Sequence, residues 1–113
     1  MNIRKLAAID IGSNAMRLLI NYVYEIPDSN PVFNKTSIVR MPIRLGEDVF
    51  TQKEISEKNI DRMVDAMQAY KLMMKIYGVE NHLAFATSAM REAVNGKEVV
   101  KRIKKKTGIE IEI

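Results

Sequence analysis

Leu6-Ala7-Ala8-Ile9-Asp10-Ile11-Gly12-Ser13-Asn14-Ala15-Met16-Arg17-Leu18 sets two apolar runs on either side of a turn and leaves one acid near the end of the first. Leu6 to Ile11 reads as a short buried strand, closed by Asp10 and Gly12. Gly12-Ser13-Asn14 is a turn-forming cluster. Met16 to Tyr24 reads as a second strand, with Leu18, Ile20, Tyr22 and Tyr24 alternating against Arg17, Leu19 and Asn21. Glu25 to Pro31, carrying Pro27, Asp28, Ser29 and Asn30, is a loop or long hairpin turn. Val32 to Leu45 follows as a third strand, with Pro42 marking its end, a bulge or an edge position.

The pattern then changes from strand to helix period. Gly46 to Glu54 reads as a connector. Ser56 is a natural N-cap with Glu57 and Asp61 near the positive end, although Thr51 to Glu54 offers a rival capping box. Ile60, Met63, Val64, Met67, Tyr70, Met74 and Tyr77 recur every three or four residues, and Gly78 is a good stop. The methionines Met63, Met67, Met73 and Met74 read as core or interface filler. A second stripe, Ala69, Leu72, Met73 and Ile76, predicts that this helix contacts something besides its own sheet. His82 to Ala86 is a short strand. A short helix opens at Thr87 or Ser88 and runs to Ala93, Asn95-Gly96 breaks it, and Lys97 to Lys106 forms another, stopped by Thr107-Gly108. Ile109 to Ile113 alternates as a last strand. This order predicts an α/β fold, a mixed sheet flanked by helices. It is the order of ribonuclease-H-like domains and of each lobe of the actin-like ATPase superfold.

Composition narrows the function classes. A chain of 113 residues fits one domain, and 47% hydrophobic with 28% charged residues is globular usage. The absence of cysteine excludes disulfides, zinc-thiolate sites and thiol catalysis. His82 is the sole histidine and no nucleophile-base arrangement surrounds it in sequence. No apolar run approaches the roughly 18 residues of a membrane span, so a cytoplasmic protein is expected. The net charge of +4 favours anionic partners. Lys101, Arg102, Lys104, Lys105 and Lys106 read as the wet face of a helix whose inner stripe is Val99, Val100 and Ile103. With 6% aromatic residues and no reading element, nucleic acid ranks last among anionic partners.

Two segments carry chemistry. In Asp10 to Asn14, glycine lets the backbone approach an anion, successive N–H groups can form an anion-binding concavity, and Ser13 and Asn14 add side-chain donors. Asp10 repels a phosphate but can hold Mg²⁺ or its water shell against one. In Thr87 to Glu92 a strand runs into a helix. There Thr87 and Ser88 offer hydroxyls, and Arg91 a planar fork for two phosphate oxygens. Each segment also has a plain structural reading, a ligand-free turn for the first and a capped helix start for the second.

Together the segments resemble a known family. Asp10-Ile11-Gly12-Ser13-Asn14 with Arg17-Leu18, Arg44-Leu45-Gly46-Glu47, and Ala86-Thr87-Ser88-Ala89-Met90-Arg91-Glu92-Ala93 are similar, in order, to stretches of the exopolyphosphatase/guanosine-pentaphosphate phosphatase (Ppx/GppA) family. The resemblance implies that residues 1–113 form the N-terminal lobe of a two-lobed phosphatase. Its substrate would be inorganic polyphosphate or a guanosine penta- or tetraphosphate, with Mg²⁺ as cofactor, and a homodimer is possible. It implies phosphate contacts from Gly12, Ser13, Asn14, Arg17, Thr87, Ser88 and Arg91, with Asp10 toward the metal and the second segment opposite the first across a cleft. Ala15 departs from the family, which often carries a small hydroxyl residue there.

The resemblance also implies that the catalytic glutamate, a second glycine-rich loop and the second lobe follow Ile113. No catalytic residue is therefore expected within the chain. Glu110 and Glu112 read as the wet side of the last strand rather than an acid-base pair. The leading expectation is a phosphoanhydride hydrolase lobe, catalytically incomplete by itself. The alternative is a non-enzymatic polyphosphate- or alarmone-binding module, and a sugar-kinase-like relative is a weaker third.

Overall fold

The computed structural model describes residues 2–113. Its elements are β1 (Asn2–Ile11), β2 (Met16–Glu25), β3 (Val32–Met41), α1 (Leu45–Gln52), α2 (Glu57–Tyr77), β4 (Asn81–Ala86), α3 (Ser88–Glu92), α4 (Gly96–Thr107) and β5 (Ile111–Glu112). They form one five-stranded sheet in the order β3-β2-β1-β4-β5. β1 pairs antiparallel with β2, and β2 with β3, whereas β4 joins β1 in parallel and β5 joins β4 in parallel. A mixed sheet with antiparallel hairpins first and helical crossovers after is the predicted ribonuclease-H-like arrangement.

Alternation along the strands decides which face is covered. Ala7, Ile9 and Ile11 of β1, Leu18 and Ile20 of β2, and Ala84 and Ala86 of β4 are buried, in one core with Ile60, Met63, Met67 and Tyr70 of α2 and Val99 and Ile103 of α4. Their strand neighbours project from the other face, where Ile38, Leu83 and Phe85 keep 50%, 66% and 40% of their surface exposed. One side of the sheet is thus packed and the other is open.

Helix ends follow their local chemistry. Ser56 caps α2, its hydroxyl oxygen accepting from the Asn59 N–H at 3.2 Å, and Gly78 closes it with φ 75°. The rival box is absent, because Thr51 lies inside α1 and donates its hydroxyl to the Glu47 carbonyl at 2.8 Å. Of the second stripe on α2, Ala69 and Met73 are half-buried while Leu72 and Ile76 are exposed. The helix packs on the sheet and on α4.

Four elements differ from the sequence reading by more than one residue at an end. The connector Gly46–Glu54 is mostly α1, a helix of 8 residues with only Leu45 fully buried and no side-chain cap, so it leaves little periodic signal. β3 stops at Met41, before Pro42, which cannot donate to a ladder. β1 begins at Asn2, because Asn2 to Lys5 pair with the far end of β2 although their polarity hides the strand. β5 keeps only Ile111–Glu112 of the expected Ile109–Ile113. Among the described residues no helix is long and apolar enough to cross a membrane.

Candidate phosphate-binding site

The parallel pairing of β1 with β4 brings the two chemical segments to the same end of the sheet. Ile11 and Ala86 are register partners, and the Thr87 N–H donates to the Ile11 carbonyl at 3.1 Å. The segments therefore stand side by side on one wall. This corrects the expectation that Thr87, Ser88 and Arg91 face the first loop across a cleft: neighbouring parallel strands deliver their following loops to the same edge.

In the β1–β2 turn the Gly12 N–H is committed to the Ala15 carbonyl at 2.9 Å. Gly12 thus contributes close approach rather than a donor, and a side chain there would press on the Ala15 oxygen at 3.3 Å. The next two N–H groups differ. Among the described residues no acceptor takes the N–H of Ser13 or Asn14, and Asn14 is exposed. Two adjacent free amides on a tight turn are the donors an anion requires.

The turn is buttressed from α1. The Gly46 N–H donates to the Ser13 carbonyl at 2.8 Å, and a Cβ on Gly46 would lie 3.2 Å from the Ser13 Cβ. Only glycine allows that approach without moving the turn. A cleft of about 650 Å³ beside the turn is lined by Ser13, Gly46, Phe50, Lys53, Ala89 and Glu92. Phe50, 89% exposed, divides it from a second depression lined by Asn14, Glu47 and Thr51.

Polar clamps hold the walls of this cleft. One oxygen of Asp48 accepts from the Ser56 N–H at 3.0 Å, the Ser56 hydroxyl at 2.8 Å and the Asn59 amide at 2.7 Å, tying α1 to the start of α2. Burial works to raise the Asp48 pKa, but these donors outweigh it and hold the carboxyl below its ordinary range. Asn95 grips the Ile55 backbone in both directions at 2.9 Å, and the Val94 N–H reaches the Lys53 carbonyl at 2.9 Å. The linker before α2 is thereby fastened to the turn after α3. Asp48 and Phe50 carry no signal in the sequence, and Asn95 reads there only as part of a helix break, since their partners are distant in the chain or their exposure depends on the fold.

The remaining predicted residues divide between two positions. Thr87 sits at the N-cap of α3 without a capping bond, and its hydroxyl lies 3.5 Å from the Ile11 carbonyl. Ser88 opens α3, and Arg91 is exposed with no acid within ion-pair distance among the described residues. Asp10 and Arg17 lie instead on the open face of the sheet, as register partners one rung below the pair that closes the hairpin. Arg17 Nη2 donates to Asp10 Oδ2 at 2.6 Å, with side-chain exposures of 54% and 17%.

Other charged groups are accounted for elsewhere. Arg102 forms a bidentate pair with Glu57 at 2.9 Å for both bonds, Lys104 pairs with Glu110 at 3.6 Å, and Glu112 and His82 are exposed. The basic helix is a solvated face, as expected. Its inner residues Val99 and Ile103 are fully buried.

The chain is similar to known proteins over nearly its whole length. The Ppx/GppA phosphatase family matches residues 23–113. A bifunctional 3-dehydroquinate synthase/phosphatase of Fusobacterium nucleatum is 37% identical over 108 residues, covering 93% of this chain and 16% of that protein. Exopolyphosphatase 1 of Mycobacterium bovis is 28% identical over 108 residues, covering 96% of this chain and 30% of that one. The crystal structure of the Aquifex aeolicus Ppx/GppA family member superposes with a TM-score of 0.88 at 29% identity, over 98% of this chain and 35% of that one. The chain therefore spans about a third or less of the length of these relatives. Such neighbours give the sheet its place as one lobe of the actin-like ATPase fold. With the family match spanning residues 23–113, the greater part of its length, the chain belongs to the Ppx/GppA phosphatase family.

Proposed function

We propose that this chain is the phosphate-gripping lobe of a phosphoanhydride hydrolase that removes terminal phosphate from inorganic polyphosphate, with guanosine pentaphosphate as the competing substrate. The observation that carries the reading is the pair of free Ser13 and Asn14 amides beside Thr87, Ser88 and Arg91, joined through the Ile11–Thr87 hydrogen bond. Family membership and relatives named exopolyphosphatase support it.

Phosphoryl transfer is helped mainly by positioning and charge neutralisation. The two amides and the hydroxyls of Ser13, Thr87 and Ser88 would orient the terminal phosphate, and Arg91 would offset charge that grows in the transition state. The attacking water is activated, in this proposal, by a residue outside the chain.

Mg²⁺ belongs to the same proposal, with Asp10 as its protein ligand. Among the described residues no cluster of three or more His, Cys, Asp or Glu side chains could hold a metal. The Arg17 hydrogen bond falls on Oδ2, leaving Oδ1 for an ion that keeps most of its water, which suits Mg²⁺. When bound, the ion would supply further neutralisation of phosphate charge.

The test is phosphate release from polyphosphate by the intact protein that carries this lobe. Arg91→Ala should lower kcat about 100-fold, the usual scale for loss of one transition-state donor. Turnover equal to the unsubstituted protein would sink the assignment. The 113-residue chain alone should bind polyphosphate without hydrolysing it.

A further inference from the structure

The Asp10–Arg17 pair has a geometry that a metal-binding role for Asp10 does not explain. Asp10 is largely enclosed and Arg17 is more than half exposed, yet their charged atoms meet at 2.6 Å, the shortest ion pair among the described residues. The register fixes the encounter, because Asp10 and Arg17 are directly opposed across the hairpin whose turn carries the free amides. An arginine side chain has several rotatable bonds, and one anchored N–H fixes the planar guanidinium and directs its remaining donors.

We infer that Asp10 is a positioning residue for Arg17, holding its guanidinium beside the Gly12–Asn14 turn so that the free edge of the fork meets an incoming phosphate anion. The inference rests on the proposed phosphate site and adds a role for Asp10 that requires no metal. An anchored arginine loses less freedom when the anion arrives, so part of the ordering cost is met in advance. The role also has a sign opposite to simple electrostatics. Removing a carboxylate next to an anion site should tighten anion binding if the carboxylate does nothing else. If Asp10 orients Arg17, removing it should weaken binding.

The experiment is calorimetric titration of the full chain with inorganic tripolyphosphate in EDTA, so that no divalent cation contributes. Asp10→Ala and Arg17→Gln should each weaken binding about tenfold, a typical coupling for residues acting as a unit. The double variant should be no weaker than Arg17→Gln alone, and Asp10→Glu should restore part of the affinity. Asp10→Asn, which preserves size, serves if the alanine variant fails to fold, and should weaken binding to a smaller extent. Equal or tighter binding by the Asp10 variants overturns the inference while leaving the phosphate site standing. So does an additive loss in the double variant, which would mark Asp10 as merely structural. If the unsubstituted chain does not bind tripolyphosphate at all, the phosphate site fails and the inference with it.

Discussion

At Gly46 the backbone amide meets the Ser13 carbonyl with no room for a methyl group between α1 and the turn. Gly46→Ala must displace either one by a few tenths of an ångström. Because Ser13 carries a candidate anion donor, the displacement should appear in binding before stability. We expect tripolyphosphate affinity to fall about tenfold, roughly 1.4 kcal/mol, while the melting temperature shifts little. A titration alongside a thermal scan separates the two. From sequence, Arg44-Leu45-Gly46-Glu47 was legible only as a familiar stretch, because nothing in its spacing reveals that Gly46 supports a turn more than thirty residues earlier. Asp10 and Arg17 were legible one at a time. Their pairing follows from the hairpin register, which the positions of Ile11 and Met16 on either side of the turn could have supplied.

Among the elements, α2 is bound to the sheet by more than its apolar stripe. The Tyr70 hydroxyl, fully buried, lies 3.1 Å from the Met16 carbonyl and 3.0 Å from the Val39 carbonyl, bridging the start of β2 and the end of β3. Burial pushes its pKa up to about 12, against an ordinary value of 10.0. The unfolded chain then releases this proton at lower pH than the folded one, so the contribution is complete below pH 10.0 and declines as pH rises towards about 12. Tyr70→Phe should cost about 1 kcal/mol at neutral pH and flatten this part of the alkaline stability profile, as denaturant titrations across pH would show. The 3.6-residue spacing made α2 legible as far as its stop at Gly78, while its start stood open between Ser56 and the rival box at Thr51 to Glu54. α1 escaped notice because a helix of 8 residues needs only one deeply buried side chain, and Leu45 looked equally like the end of β3.

The whole molecule is elongated, with extents of 53 × 23 × 20 Å and a radius of gyration of 15.5 Å, against about 13 Å for a compact domain of this length. The far end of the β2–β3 hairpin leaves Val32 and Phe33 exposed at 52% and 70%. Ile38, Leu83 and Phe85 add an uncovered apolar surface on the open face of the sheet. Such a surface carries a solubility cost. The chain should self-associate as its concentration rises, and Leu83→Lys should shift sedimentation towards monomer without lowering the melting temperature, because Leu83 is 66% exposed. A melting temperature that drops sharply would mean that Leu83 is packed in solution. The bond from Thr87 to the Ile11 carbonyl spans 76 positions of the chain. Closing so long a loop is among the slower steps available to a small domain, since its entropy must be lost before native contacts compensate. The two halves of the anion site consequently meet only when β4 has docked. A phosphate ligand that needs both halves selects the assembled sheet, and by mass action it would protect the entire domain from unfolding.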